Sequence, residues 1–488
     1  MNPTLRPRLR PLSGSVAVLL LTMALGACGP REIGAGSAEE SAPSGGGAPT
    51  AEMMRYPMTG VSARERMLYL SNRPDVMQQV QDWRLQGYQR RMGIQPSPED
   101  PAYRAQTAQP LQAIIAMDPV THAASGAVAL LALPRRPLTR WALPLAAMVT
   151  ASPDLDILFA HTPLQFLLLH RGISHSFAAM PVFGLLLALC CRPLWSAATP
   201  GRWSFARVWL LCCALILLHI WLDVVTTYGT MVFLPFSHYR VRLNSVYIID
   251  LFLTVPLLWA VWRLRARRGL ILLALAWVFV YPTLGMGLNA WHTVQSRERL
   301  QHEGRAVSRL HVLPDAFAPF FWRVIFEEGA TVRAQSLDAL GRPRAAEAVH
   351  PAAPAPLVAA LAEQSVACES YFQFAMLPVM DALRPGDAPP RRTDAPPEDG
   401  HTGALFYDLR FGSGLAVVRR LLAMRPNADI PFQLMVELAP AGADAPRSAP
   451  PRLEQLRLRF SDSGRDSRWH APVPPTPPTF LRWLVGLR

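Results

Sequence analysis

The sequence predicts a mainly α-helical fold, a polytopic membrane domain followed by a soluble α+β domain, and three observations carry that reading. Hydrophobic residues make up 51% of the chain, and the mean hydropathy is positive. The apolar residues gather in about six runs between 118 and 290, as membrane helices require. Beyond 290 the runs give way to short alternating stretches and Pro-rich tracts. At 488 residues the chain is too long for one compact core, so two or more domains are expected.

The N-terminus reads as a targeting segment. Arg6, Arg8 and Arg10 form a basic stretch ahead of an apolar run at 15–25. The run ends Leu25-Gly26-Ala27-Cys28, which resembles a bacterial lipobox, so residues 1–28 are expected to be a signal peptide and Cys28 a lipidated first residue of a lipoprotein. An uncleaved anchor, or a start at Met117, is the competing reading. Residues 29–60 are rich in Gly, Ser, Ala and Pro and read as a flexible linker. Residues 61–116 read as a short helical region without chemistry.

Residues 117–290 form the expected membrane domain. Apolar spans fall near 120–133, 141–158, 175–191, 207–228, 250–264 and 269–288. Several are shorter than the roughly 20 residues that cross a bilayer, which suits a recessed site opening at one face. One set of loops holds Arg135, Arg136, Arg140, Arg192, Arg202, Arg207, Arg263, Arg265, Arg267 and Arg268. The other holds only Arg171, Arg240 and Arg242. Positive residues stay cytoplasmic, so the second face is expected to be periplasmic, in a bacterial inner membrane. Residues 291–488, with alternation at 404–411, 432–438 and 456–460, are expected to form a soluble periplasmic domain.

The net charge is +13 and every basic residue is arginine. These arginines sit beside apolar runs and in Pro-rich tracts rather than along one helix face. Nucleic acid is therefore not an expected partner, and membrane lipid is. Cys190, Cys191, Cys212 and Cys213 lie within apolar runs and Cys368 stands alone, so they read as small core residues and not as a disulfide framework.

The chemistry lies where His and Asp interrupt apolar runs, all on the expected periplasmic face. Ionisable groups at such places are costly, and their recurrence marks a site. His219 and Asp223, four residues apart, share a helix face. Asp118 and His122 have the same spacing, although Asp118 is equally suited to cap the first span with Pro119 after it. Asp154 and Asp156 follow Pro153 at the end of the second span. His170 and His175 flank Gly172, which lets their loop fold tightly. Ser174 and Ser176 can cap the third span or orient a ligand. Asp250 opens the fifth span, and Pro235-Phe236-Ser237 shapes the loop before it. Imidazole with carboxylate suits Zn²⁺, Mn²⁺ or Fe²⁺. The expected ligands are His122, Asp154, Asp156, His170, His175, His219 and Asp223. Seven exceed the needs of one tetrahedral ion, so one or two divalent ions, Zn or Mn, are expected. His302, His311, His350, His401 and His470 are too dispersed to be ligands.

These pieces together resemble the YdjM-like family of bacterial inner-membrane proteins, to which metal-dependent hydrolysis is ascribed. The residues that carry the resemblance are DPVTH at 118–122, Gly126, PDLD at 153–156, HRGISHS at 170–176, HIWLDVVTTYG at 219–229, PFS at 235–237 and Asp250. It covers about residues 117–260 and implies a metal-binding membrane protein.

The expected activity is metal-assisted hydrolysis at the periplasmic face. Asp156 or Asp250 would remain free as general base, and Arg171 would pair with an anionic substrate. A site recessed in the outer leaflet favours a lipid-linked or phosphoester substrate. Two other classes compete: a metal-handling transporter, which would place its charges near the midplane and show repeats, and a non-catalytic scaffold with a structural ion, which would close the coordination.

Overall fold

Apolar helices build the first half of the folded region, and two antiparallel sheets build the second. The computed structural model describes residues 118–483, apart from 137–138, 197–200, 384–386, 388, 390–400, 424–430, 440–449, 461–464 and 481–482. The expected signal peptide, the lipobox-like Cys28, the linker and the 61–116 helical region all lie outside the described residues. So does the question of a start at Met117.

Helix α1 (Pro119–Ala132) starts where Asp118 accepts a hydrogen bond from Thr121 N at 3.0 Å and Pro119 sets the first turn. Helix α2 (Ala142–Ala151) runs directly into a 3₁₀ segment, Ser152–Phe159. Helix α3 (Pro163–Leu169) carries a Thr162–Gln165 capping box and leads through a short 3₁₀ turn, Ile173–His175, to α4 (Met180–Cys190). A one-turn helix, α5 (Arg192–Trp195), precedes α6 (Phe205–Val224), which Ser204 caps. Helix α7 (Leu251–Trp259) continues as a π turn, Ala260–Leu264. Helix α8 (Arg268–His302) is the longest, at 35 residues.

Among the described residues, three helical stretches are long and apolar enough to cross a membrane: Ala142–Phe159, Phe205–Val224 and Arg268–His302. A fourth counts if Pro163–His175 and Met180–Cys190, bent by 80°, form one span. About six spans, some of them short, were expected. The difference lies in α1 and α7, which coincide with expected runs but are too short: 14 residues of α-helix rise only about 21 Å against a hydrocarbon core of about 30 Å. Helix α8 also runs past the expected boundary at 290 to His302.

The sheets follow α8. The first has the order β1 (Val307–Pro314), β2 (Phe321–Glu328), β3 (Thr331–Asp338), β4 (Ala348–Pro351). Two helices, α9 (Ala355–Gln364) and α10 (Val366–Phe374), lead to the second sheet. Its order is β5 (Pro378–Ala382), β6 (Thr402–Asp408), β7 (Gln433–Ala439), β8 (Arg452–Phe460), β9 (Arg465–Asp466). Helix α11 (Ala416–Ala423) lies between β6 and β7. An α+β second half agrees with the sequence reading, although the β1–β3 meander had not been foreseen.

All described residues fall within one compact unit, Gln109–Arg488. Its largest apolar cluster joins the two halves. Ile157, Phe166 and Tyr228, from the His/Asp end of the helices, pack with Phe374, Phe406, Phe411, Phe432 and Phe460 of the sheet half. Burying large aromatic rings contributes roughly 1.5–3 kcal/mol each. The sheet half is thus fixed over the end of the helices that carries the motifs.

Candidate metal centre

Four side chains from three segments meet in the interior. Asp154 comes from the 3₁₀ segment after α2, His175 from the turn before α4, and His219 and Asp223 from the last turns of α6. One ligand atom from each lies within 4.8 Å of every other, and all four residues are buried. His175 Nε2 is 2.9 Å from His219 Nε2, 3.4 Å from Asp154 Oδ1 and 3.0 Å from Asp223 Oδ2. His219 Nε2 is 3.6 Å from Asp154 Oδ1 and 3.4 Å from Asp223 Oδ2. A tetrahedral ion with bonds of about 2.0–2.2 Å holds its ligand atoms about 3.3–3.6 Å apart. The cluster therefore has the size of a coordination sphere.

The outer atoms of both imidazoles are committed. His219 Nδ1 meets Thr150 O at 2.7 Å, and the carbonyl can only accept, so Nδ1 carries the proton. His175 Nδ1 meets Ser174 Oγ at 2.9 Å, and Ser174 Oγ donates to Asp156 Oδ2 at 2.7 Å. With Nδ1 protonated on each ring, both Nε2 lone pairs face the same point. Asp154 Oδ1 and Asp223 Oδ2 are buried and accept no hydrogen bond, while Asp223 Oδ1 faces the Arg171 guanidinium. With both rings neutral, these four acceptors converge without a donor between them and repel, and a buried acceptor left so costs roughly 1–3 kcal/mol. A cation at their centre removes the conflict. The residues present fit a divalent metal ion.

The other expected site residues take different places. Asp156 faces away from the cluster. Its Oδ1 is 3.0 Å from His170 Nδ1, and its Oδ2 accepts from Arg171 N at 3.1 Å as well as from Ser174. The reason is local: in a helix with three residues per turn, positions two apart point to different sides. His170 sits behind Asp156, edge-on to Tyr228 with ring centres 5.4 Å apart, outside the group of four. His122 is adjacent. Its ring stacks on His219 at 3.9 Å, and its Nε2 is 3.5 Å from Asp223 Oδ1 and 4.0 Å from Asp154 Oδ2. Arg171, with φ of 55°, turns its guanidinium inward to Asp223 Oδ1 at 2.9 Å and lies over the Tyr228 ring at 4.7 Å. Asp250 caps α7 through Phe252 N and Leu253 N and accepts from Tyr281 Oη at 2.9 Å. Asp118 likewise serves as the cap of α1.

A cavity of about 20 Å³ adjoins the cluster, lined among others by His122, Asp223, Arg171, Asp118 and Asp250. That is room for about one water molecule.

The segment that holds these residues resembles a known family. Residues 117–294 match the family of YdjM inner membrane proteins. The matched segment holds every residue of the cluster. Over 132 residues the chain is also 26% identical to YfhP, an uncharacterized protein of Bacillus subtilis (strain 168), covering 26% of this chain and 39% of that protein. The chain thus spans well under half the length of that relative. No solved structure matches this chain.

Two contributors had escaped the sequence reading, and a third, Tyr228, had been quoted within a motif but given no role. Thr150 acts through a backbone carbonyl, which no side-chain pattern reveals. Tyr228 packs between His170 and Arg171. Arg410 donates to the carbonyls of Thr227 at 3.2 Å and Tyr228 at 2.9 Å, from the 3₁₀ turn after β6, far along the chain.

Proposed function

We propose that this protein is a membrane-bound, metal-dependent hydrolase whose ion is held by Asp154, His175, His219 and Asp223. The observation that carries the reading is the pair of Nε2 atoms 2.9 Å apart, each with its outer nitrogen committed, beside carboxylate oxygens that accept no hydrogen bond. A divalent ion bound there would polarise a phosphoryl or carbonyl oxygen and acidify a water. The residues around it have separate tasks. Ser174 and Asp156 hold the His175 ring, and Thr150 O holds His219. Arg171 offsets the charge of Asp223 and borders the cavity, where it can meet an anionic group. His122 faces both carboxylates and is the nearest candidate for a fifth ligand or a proton carrier. Asp250, on the cavity wall with Asp118, is the candidate for a general base. Zn or Mn suits the mixed N/O set. The substrate class that fits a recessed site is a lipid-linked molecule or phosphoester, and the arginine asymmetry supports a site at the periplasmic face of the inner membrane.

A second reading has its own support. His175, His219 and Asp223 are wholly buried, and the adjoining cavity takes only about one water. A closed four-residue shell of this kind suits a structural ion.

One experiment separates the two. The full chain in detergent is stripped with chelator, reloaded with Zn or Mn, and given chromogenic phosphomonoester, phosphodiester and carboxylester lipids. Hydrolysis that appears with metal and is absent in Asp154→Asn supports the enzyme. Stoichiometric metal without turnover on any of these probes rejects it and leaves the structural ion.

A further inference from the structure

The turn between β1 and β2, residues 315–320, sits at an unusual place for a loop of an extramembrane domain. Tyr281 Oη lies within hydrogen-bond reach of both Asp250 Oδ2, at 2.9 Å, and Ala318 O, at 3.0 Å, which ties the turn to α8 and to the start of α7. Tyr281 lies only about 20 Å along α8 from Arg268, at ~1.5 Å per residue. Exposed apolar side chains on α8 continue well beyond that level, through Leu284 and Trp291 to Val294. Val294 lies about 39 Å from Arg268 by the same rise. If the arginines at 263–268 mark one edge of a hydrocarbon core of about 30 Å, the turn is attached inside the apolar layer.

The turn has the composition for that position. Residues 316–322 carry no charge. Asp315 is buried, and its carboxylate is occupied within the domain by Ala316 N, Ser413 Oγ and Gly414 N. Arg323 likewise turns inward, to the carbonyls of Gly412 and Leu409. Phe317, at a φ of 63° that bulky residues rarely adopt, is 43% exposed, and Phe320 is 51% exposed. The Phe320 ring meets Phe252 of α7 at 5.6 Å, and the neighbouring Leu251 and Val255 are exposed as well. The turn therefore extends the outer apolar surface of α7, the helix that is too short to cross the layer alone.

We propose that the β1–β2 turn is inserted in the lipid bilayer, with Phe317 and Phe320 against acyl chains, and that it fills the level α7 leaves uncovered. The occupant of this surface is the host membrane itself, because the surface is continuous with the apolar faces of the helices. The sheet domain is then a membrane-embedded cap over the metal cluster, and not a soluble module on a tether.

The test uses the full chain in phosphatidylcholine nanodiscs and an aryl diazirine that partitions into the hydrocarbon. After photolysis and trypsin, the peptide 310–323 is examined for the adduct. The expected result is an adduct on residues 316–321, at a yield like that of α8 peptides, with none on β8 peptides. In Phe317→Asp, Phe320→Asp the adduct should be lost while the α8 adducts persist. A wild-type turn without the adduct overturns the proposal, whether water-borne hydroxyl radicals oxidise it or a protein partner shields it. So does an adduct that survives in the double variant.

Discussion

Asp154 and Asp156 show how two residues of one motif divide. The sequence shows a DxD pair after Pro153 and cannot say which carboxylate looks inward, because that depends on the helix type adopted there. In the 3₁₀ segment Asp154 enters the cluster and Asp156 binds His170, Arg171 N and Ser174. That His219 and Asp223 share a face was legible, since four residues make about one helical turn. The acceptor for His219, a backbone carbonyl of α2, was not. The division predicts different phenotypes. Asp154→Asn should abolish metal retention. Asp156→Asn should keep a metal site but weaken it by roughly 10–100-fold, the usual effect of losing a group that orients a ligand. Titration of the stripped protein with Zn²⁺ checks this; equal losses in the two variants would contradict the assignment.

At the scale of elements, the apolar runs were legible because each is continuous over at least about four helical turns or is bounded by Arg, Pro or Gly. The β1–β3 meander was not. Its strands carry arginines of every exposure (Arg309 exposed, Arg333 half-buried, Arg323 buried) and half-buried positions that blur the alternation, and only Gly329, at φ of 60°, marks the β2–β3 turn. Gly126 ties helix packing to the cluster. A side chain there would meet Thr150 Oγ1 and approach Ala146 O at 2.7 Å, so α1 and α2 touch only because the residue is glycine. Thr150 also supplies the carbonyl that orients His219. Gly126→Val should therefore lower stability by about 1–3 kcal/mol through overpacking and weaken metal binding without removing a ligand. Thermal unfolding in detergent and metal titration report both. A variant with unchanged midpoint and affinity would show that the helices are free to move apart.

For the molecule as a whole, the chain order hid the central relationship. Arg410 and the Phe374–Phe432–Phe460 cluster come from a half of the sequence with no site motif, yet they pack on Tyr228 and Phe166 beside the metal cluster. Such long-range contacts leave no local pattern. The placement of every His/Asp motif at one end of the helices, away from the arginine-rich loops, also gives the orientation a test. A reporter fused after residue 200 should read cytoplasmic, and one fused after residue 483 should read periplasmic. The reverse pattern would move the cluster to the cytoplasmic face.

The central claim is that Asp154, His175, His219 and Asp223 hold an ion, and elemental analysis of the purified full chain tests it most directly. Wild-type protein should carry stoichiometric divalent metal, as should His311→Ala and His470→Ala. The His175→Ala, Asp223→Ala double variant, inserted in the membrane and with unchanged helical content, should carry none. Wild-type metal content in that double variant would contradict the claim and leave the four residues as buried links between helix ends.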